Sequence, residues 1–135
     1  MSTTIDVPGV ADNVPPRTVQ LHTLANDLER YEWVGHDSHG RKGAQTTVLF
    51  DDPAGGQRVA LVRCEPGAFS APHRHEGHES FLVLEGTFHD DSGVYGKGEL
   101  LVYQPGSYHG WTCPDGGLFY VVWGGPVTPL TPAAG

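Results

Sequence analysis

Glycine and proline divide the chain into short runs whose apolar positions alternate or cluster as strands require. Thr46–Phe50 (TTVLF), Arg58–Glu65 (RVALVRCE), Ser80–Glu85 (SFLVLE), Thr87–His89, Leu100–Gln104 (LLVYQ) and Leu118–Trp123 (LFYVVW) are rich in β-branched and aromatic residues and predict strands. Turn clusters punctuate them: Asp51–Gln57 (DDPAGGQ), Pro66-Gly67 and the hairpin tip Asp90–Gly98 (DDSGVYGKG). One stretch, Val19–Tyr31, sets Leu21, Leu24 and Leu28 on a helical stripe and is the single helical candidate. Short strands separated by turns predict an all-β sandwich or barrel. Residues 1–20 are expected to form an extended arm. Residues 21–125 are expected to form one domain. Residues 126–135 (PVTPLTPAAG) are expected to be a flexible tail, and Gly124–Gly135 is not expected to continue a sheet.

Composition narrows the classes. The 135 residues suffice for one core. Lys and Arg number 8 against 16 Asp and Glu, a net charge of −8, which argues against a nucleic-acid partner that needs a clustered cationic face. No run is long and apolar enough for a membrane helix, so no membrane partner is expected. The opening MSTTIDVPGV has no basic region ahead of an apolar one, so no signal peptide is expected. Cys64 and Cys113 form no CxxC and are taken as reduced thiols of a cytoplasmic protein. Histidines number 8, as many as Lys and Arg together, the oddest ratio in the composition.

The chemistry concentrates in Gly67–Gly86 (GAFSAPHRHEGHESFLVLEG). His73 and His75 are two apart, so on an extended chain they face one side. Glu79 shares their parity across a turn-forming Glu76-Gly77-His78. A second segment, Gly98–His109 (GELLVYQPGSYH), brings His109 just after a strand and the Pro105-Gly106 turn. Imidazoles with a carboxylate suit one borderline divalent ion per chain: Fe(II), Mn(II), Ni(II), Cu(II) or Zn(II). His75-Glu76-Gly77-His78 is one residue short of the HExxH zinc-peptidase pattern and lies among strand signals. His78 has the opposite parity to Glu79 and is expected at the rim. His36 and His39 lie in a Gly/Asp-rich loop that reads as solvated. His22 and His89 have no partner pattern. Cys64 and Cys113 read as small buried hydrophobes. Tyr103 and Trp111 are candidates to line the cavity mouth. Arg63 is either an anion-binding side chain or an outward charge.

The two segments resemble the paired motifs of the cupin superfamily. The first matches G-x5-H-x-H-x3-E-x6-G at Gly67, His73, His75, Glu79 and Gly86. The second is similar to G-x5-P-x-G-x2-H at Gly98, Gly106 and His109, with Gln104 where that motif has Pro and Pro105 one residue later. The longer wording, PG…H-x-H…E…VLEG-x-F-x-D…G-x-Y-x-x-G…PGS-x-H, is similar to ChrR-like cupins, a subgroup that includes anti-sigma factors and acetylacetone dioxygenases. The resemblance covers roughly Arg58 to Trp123, about half the chain.

The resemblance implies an antiparallel cupin β-barrel, the double-stranded β-helix or jelly-roll, over 21–125. It implies His73, His75 and His109 as metal ligands, with Glu79 as the fourth ligand or as a carboxylate hydrogen-bonded to one. It implies a mononuclear Fe(II) dioxygenase that uses O₂ to cleave a carbon–carbon bond of a small diketone-like substrate, with Glu79, Tyr103 and Trp111 as candidate catalytic residues. The alternatives are a non-redox metal-dependent isomerase, decarboxylase, cyclase or lyase, and a stand-alone small-molecule-binding or sensor cupin. The few dozen residues before the first strand hold no cysteine, so the zinc-binding sigma-interacting domain of the anti-sigma factors is not expected there. Open sheet edges point to a homodimer.

Overall fold

Two long bent strands organise the molecule. The computed structural model describes residue 9 and residues 14–37 and 40–130. Most of the expected N-terminal arm, His39 and the last five residues of the expected tail lie outside the described residues. The strands are β1 (Val34–Gly35), β2 (Arg41–Asp52), β3 (Gln57–His75), β4 (Glu79–Asp90), β5 (Gly93–Gly96), β6 (Leu100–Tyr103), β7 (Tyr108–Cys113), β8 (Gly117–Trp123) and β9 (Val127–Pro129). The first part of β3 pairs with β2 and β8, and its second part with β7 and β9. Likewise β4 pairs first with β6 and β8, then with β5 and β7. All these pairings are antiparallel, and they close the sheet into the cupin barrel.

Three expectations change. The Pro66-Gly67 turn is a bend inside the continuous strand β3, because both flanks stay hydrogen-bonded to neighbours. Val19–Tyr31 forms two 3-10 turns, Leu21–Asn26 and Leu28–Arg30, in place of an α-helix. No side chain caps the first turn, and Asp27 at φ −134°, ψ 17° breaks the spiral between them. The residues expected to leave the sheet after Gly124 supply β9, which lies along β3 with His73 opposite Pro129 and His75 opposite Val127. A three-residue edge strand carries little propensity signal, and its register is set by β3.

Alternation fills the interior. Ala44, Val62, Cys64, Phe81, Val83, Phe88, Phe119 and Val121 point inward and form the main core, with Phe81 stacked on Phe88 at 4.3 Å and on Phe119 at 4.8 Å. A second cluster lies outside the sheet, where Leu24 of the first 3-10 turn covers Leu61 and Leu118. Gly86 marks the crossing of β4 between its two sets of partners. Its φ is +78°, and a Cβ there would overlap the Gly116 carbonyl oxygen and lie 2.7 Å from Gly117 Cα. Gly86→Ala should destabilise the fold by about 2–4 kcal/mol, the sum of left-handed strain and overpacking against rigid backbone. Urea denaturation would show this as a lower midpoint with an unchanged slope.

Candidate metal centre

A β-bulge aims the first two histidines. Ser70 pairs with Trp111 and His73 with His109, with a register shift between them. The shift lets Ser70 and His73 both face inward although they are three apart, and His75 then follows at the same parity. Glu79 opens β4, between Tyr103 and Trp123 on the neighbouring strands. His109 enters from β7. All four side chains are buried, with Glu79 4% and His75 1% exposed.

The ring nitrogens converge. One ligand atom from each of His73, His75 and His109 lies within 4.8 Å of the others. His73 Nε2 and His109 Nε2 are 3.1 Å apart. His75 Nε2 lies 3.1 Å from Glu79 Oε2, but that contact lacks hydrogen-bond geometry. His75 Nε2 has no hydrogen-bond partner among the described residues.

The outward-facing nitrogens fix where the protons are. Ser107 Oγ donates to the Gln104 carbonyl at 2.6 Å, so it accepts from His75 Nδ1–H at 3.0 Å. Ser70 Oγ likewise donates to the Ala71 carbonyl at 2.9 Å, and His73 Nδ1, 3.3 Å from that carbonyl and from Ser70 Oγ, must carry a hydrogen. His109 Nδ1 donates to Asp90 Oδ2 at 3.2 Å. In a neutral imidazole with the proton on Nδ1, Nε2 is a bare lone pair. Burial, first of all, holds His73 down at about 4 and lowers His109 as well. Two bare nitrogens 3.1 Å apart and a third buried without a donor repel one another unless a cation lies between them. This donor set therefore fits a divalent ion.

Three residues that support the rings were not singled out as site residues from the sequence. Asp90, whose side chain is 1% exposed, accepts from Tyr103 Oη at 2.7 Å as well as from His109. Burial raises its carboxyl, but bonds from Tyr103, the Ser92 amide and His109 outweigh this and leave it lowered, hence ionised. Its signal was in the sequence: the D of VLEG-x-F-x-D is two residues beyond inward Phe88. The second residue is Ser107. Gln104–Ser107 is a type II turn with Pro105 at its second position, Gly106 at φ +87° and a Ser107 N–H to Gln104 O bond of 3.1 Å. The displaced proline is thus where such a turn wants it. The turn also clamps His75 by two backbone bonds, His75 N–H to Ser107 O at 2.8 Å and Gly106 N–H to His75 O at 2.7 Å. Ser70 is the third.

Other candidates separate. The Tyr103 ring lies 4.4 Å from His109 and 5.1 Å from His75, but its hydroxyl is held by Asp90, and burial followed by that bond raises the phenol. Tyr103 therefore positions His109 through Asp90 and does not offer a proton to the site. Trp111 packs on Phe88 at 5.5 Å, at the edge of the core. Arg63 faces outward, bonded to Gln45 at 2.6 Å and stacked over Trp33 at 4.6 Å, which removes it as an anion binder in the barrel. His78 is exposed beside Gly124. No helix among the described residues is long and apolar enough to cross a membrane.

Comparison with known proteins agrees with this geometry. Residues 22–128 match the family model of the ChrR cupin-like domain. The anti-sigma-E factor ChrR of Cereibacter sphaeroides is 34% identical over 61 residues, covering 44% of this chain and 27% of that protein. The match thus spans about a quarter of the curated relative. A structure assigned as an acetylacetone dioxygenase of Methylibium petroleiphilum PM1 superposes with a TM-score of 0.74 at 18% identity, over 93% of this chain and 88% of that one. The acetylacetone dioxygenase of Acinetobacter johnsonii gives 0.68 at 18% identity, over 91% and 83%. At these identities the structural likeness shows the fold.

Removing an outer partner of a ring should loosen the ion. Asp90→Asn and Ser107→Ala should each weaken metal affinity by about 10–100-fold. Competition titration with a chromophoric chelator measures this. ¹⁵N NMR of the metal-free variants should show the corresponding histidine losing its single tautomer.

Proposed function

Because the chain belongs to the family of ChrR cupin-like domains, we propose that it is a mononuclear metal-dependent dioxygenase acting on a small 1,3-dicarbonyl or related enol. The observation that carries this reading is the convergence of the three buried Nε2 atoms, each with its proton held on the opposite nitrogen. The acetylacetone dioxygenase fold supports the reaction class.

In this reading His73, His75 and His109 hold one divalent ion, Fe(II) by preference, with Glu79 as fourth donor or as a carboxylate beside it. When bound, such an ion supplies Lewis acidity toward an enolate and redox capacity toward O₂. The rest is the work of the chain. Ser107, the Ala71 carbonyl and Asp90 keep the rings neutral and aimed. Phe81, Phe88 and Trp111 form the dry wall behind His109. Glu79 Oε2, beside His75 and not committed to it by a hydrogen bond, takes the proton that a 1,3-dicarbonyl loses on forming its enolate. The reading includes a cytoplasmic location, which two free buried thiols suit. It also includes a homodimer that pairs the outer edge of β1 or β5.

A second reading rests on the anti-sigma relative: a binding module that holds a metal and a small ligand and reports on them to a protein partner. Oxygen-electrode measurements separate the two. Fe(II)-loaded protein with a panel of 1,3-diketones should consume O₂ stoichiometrically with substrate loss, and tight binding without uptake would favour the sensor. His109→Ala should lower bound metal by at least tenfold in elemental analysis, and full occupancy would sink the ligand assignment. Glu79→Ala should abolish uptake. Retained metal would make Glu79 a base, and lost metal a ligand.

A further inference from the structure

The barrel mouth contains a cation with no ion-pair partner among the described residues. Register places it. Arg41 on β2 is directly opposite Ser70, whose hydroxyl contacts His73, so both side chains share the inner face. Trp123 on β8 is opposite Glu79 on one side and Arg58 on the other. Arg41, Arg58 and Trp123, with His36, Asp51 and Val127, line one cavity of about 300 Å³. Val127 is in turn opposite His75. Two residues of the cavity wall, Trp123 and Val127, thus stand directly opposite Glu79 and His75 and share their face of the sheet.

Its charges do not balance internally. Arg58 is paired with Asp51 at 3.3 Å. Arg41 has no ion-pair partner among the described residues, although it is half-buried. Burial lowers its guanidinium, and the field of the Glu79 carboxylate, near enough to act on it, offsets part of that. His36 is held neutral, at about 4, first by burial and then by Arg41 and Arg58. In a chain of net charge −8, this cavity is thus positive at one spot, partly desolvated and walled by Trp123 and Val127. A guanidinium in such a place is satisfied by a planar, two-oxygen anion.

We infer that Arg41 is a specificity-determining residue that binds a carboxylate of the substrate, so that the substrate class is a small oxo acid whose enolisable carbonyl faces the histidines while its carboxylate faces β2. The cavity accommodates a molecule of a few carbons with an apolar flank against Trp123. This rests on the proposed function for the reacting end of the substrate, whereas the anion subsite is defined by Arg41 alone.

The test compares acetoacetate with its near-isostere acetylacetone, which replaces the carboxylate by a methyl ketone. Calorimetric titrations at pH 7 use the full chain, metal-free and loaded with redox-silent Zn(II). Acetoacetate should bind at least tenfold more tightly than acetylacetone. Arg41→Gln should remove that preference and leave acetylacetone within twofold of its original affinity. Arg41→Lys should keep only part of it, since the charge remains and the fork is lost. Equal affinities in the native protein would overturn the subsite. So would Arg41→Gln weakening both ligands alike, the behaviour of a mere counter-charge to Glu79. If Arg41→Gln does not fold, Arg41→Lys decides: at least a threefold loss of preference upholds the subsite, and an unchanged preference removes it. Oxygen uptake with no carboxylate preference leaves the dioxygenase reading standing without this subsite. An Arg41-dependent preference with no uptake by the iron-loaded protein does the reverse.

Discussion

Everything at this site depends on which nitrogen of each histidine carries the proton. Three imidazoles crowded at one end of a barrel could as easily form a hydrogen-bonded cluster, each donating to the next. They do not, because every Nδ1 is matched to an oxygen that accepts from it: Ser107 Oγ, the Ala71 carbonyl and Asp90 Oδ2. With those protons drawn outward, the inner nitrogens are bare and mutually repulsive. The polypeptide stores this arrangement in its covalent and hydrogen-bonded frame. A cation relieves the repulsion and so gains affinity from it.

The frame is rigid where it must be. β3 and β4 each belong to both sets of paired strands, so the ends that bear His73, His75 and Glu79 are held from two sides. The Gln104–Ser107 turn is hydrogen-bonded to His75 through its backbone and its hydroxyl, tying the second motif to the first. Asp90 links His109 to Tyr103 by accepting a hydrogen bond from each. The core of Phe81, Phe88 and Phe119 reaches the cluster through Phe88, whose ring lies 6.1 Å from that of His109.

Polarity is distributed with the same economy. The surface is acidic, while the barrel mouth carries Arg41 and Arg58 on the face that leads to the histidines. One of these is paired with Asp51 and the other has no ion-pair partner among the described residues. That asymmetry gives the cavity a direction: a dipolar or anionic molecule entering along Trp123 would be oriented before it reached the cluster.

Periodicity two with frequent turns pointed to an all-β sandwich or barrel, and the parity of His73 and His75 put both on one face; the cupin barrel and the full donor set were what the resemblance of the two motifs implied. The barrel and the burial of all four side chains agree with that reading, whereas β3 and β4 run on through Pro66-Gly67 and Gly86, where shorter strands were expected to end. It misjudged the ends. Val19–Tyr31 has a helical stripe but no cap, and β9 has too few residues to carry a signal. Tyr103 and Trp111 were legible as aromatics near the mouth, but not as a phenol held by Asp90 and a ring stacked on Phe88. Only the tertiary structure decided these points, together with the tautomers, the outward turn of Arg63 and the inward turn of Arg41. Each depends on which residue of a distant strand stands opposite, and a register between segments tens of residues apart is a property of the closed sheet rather than of any local run of sequence.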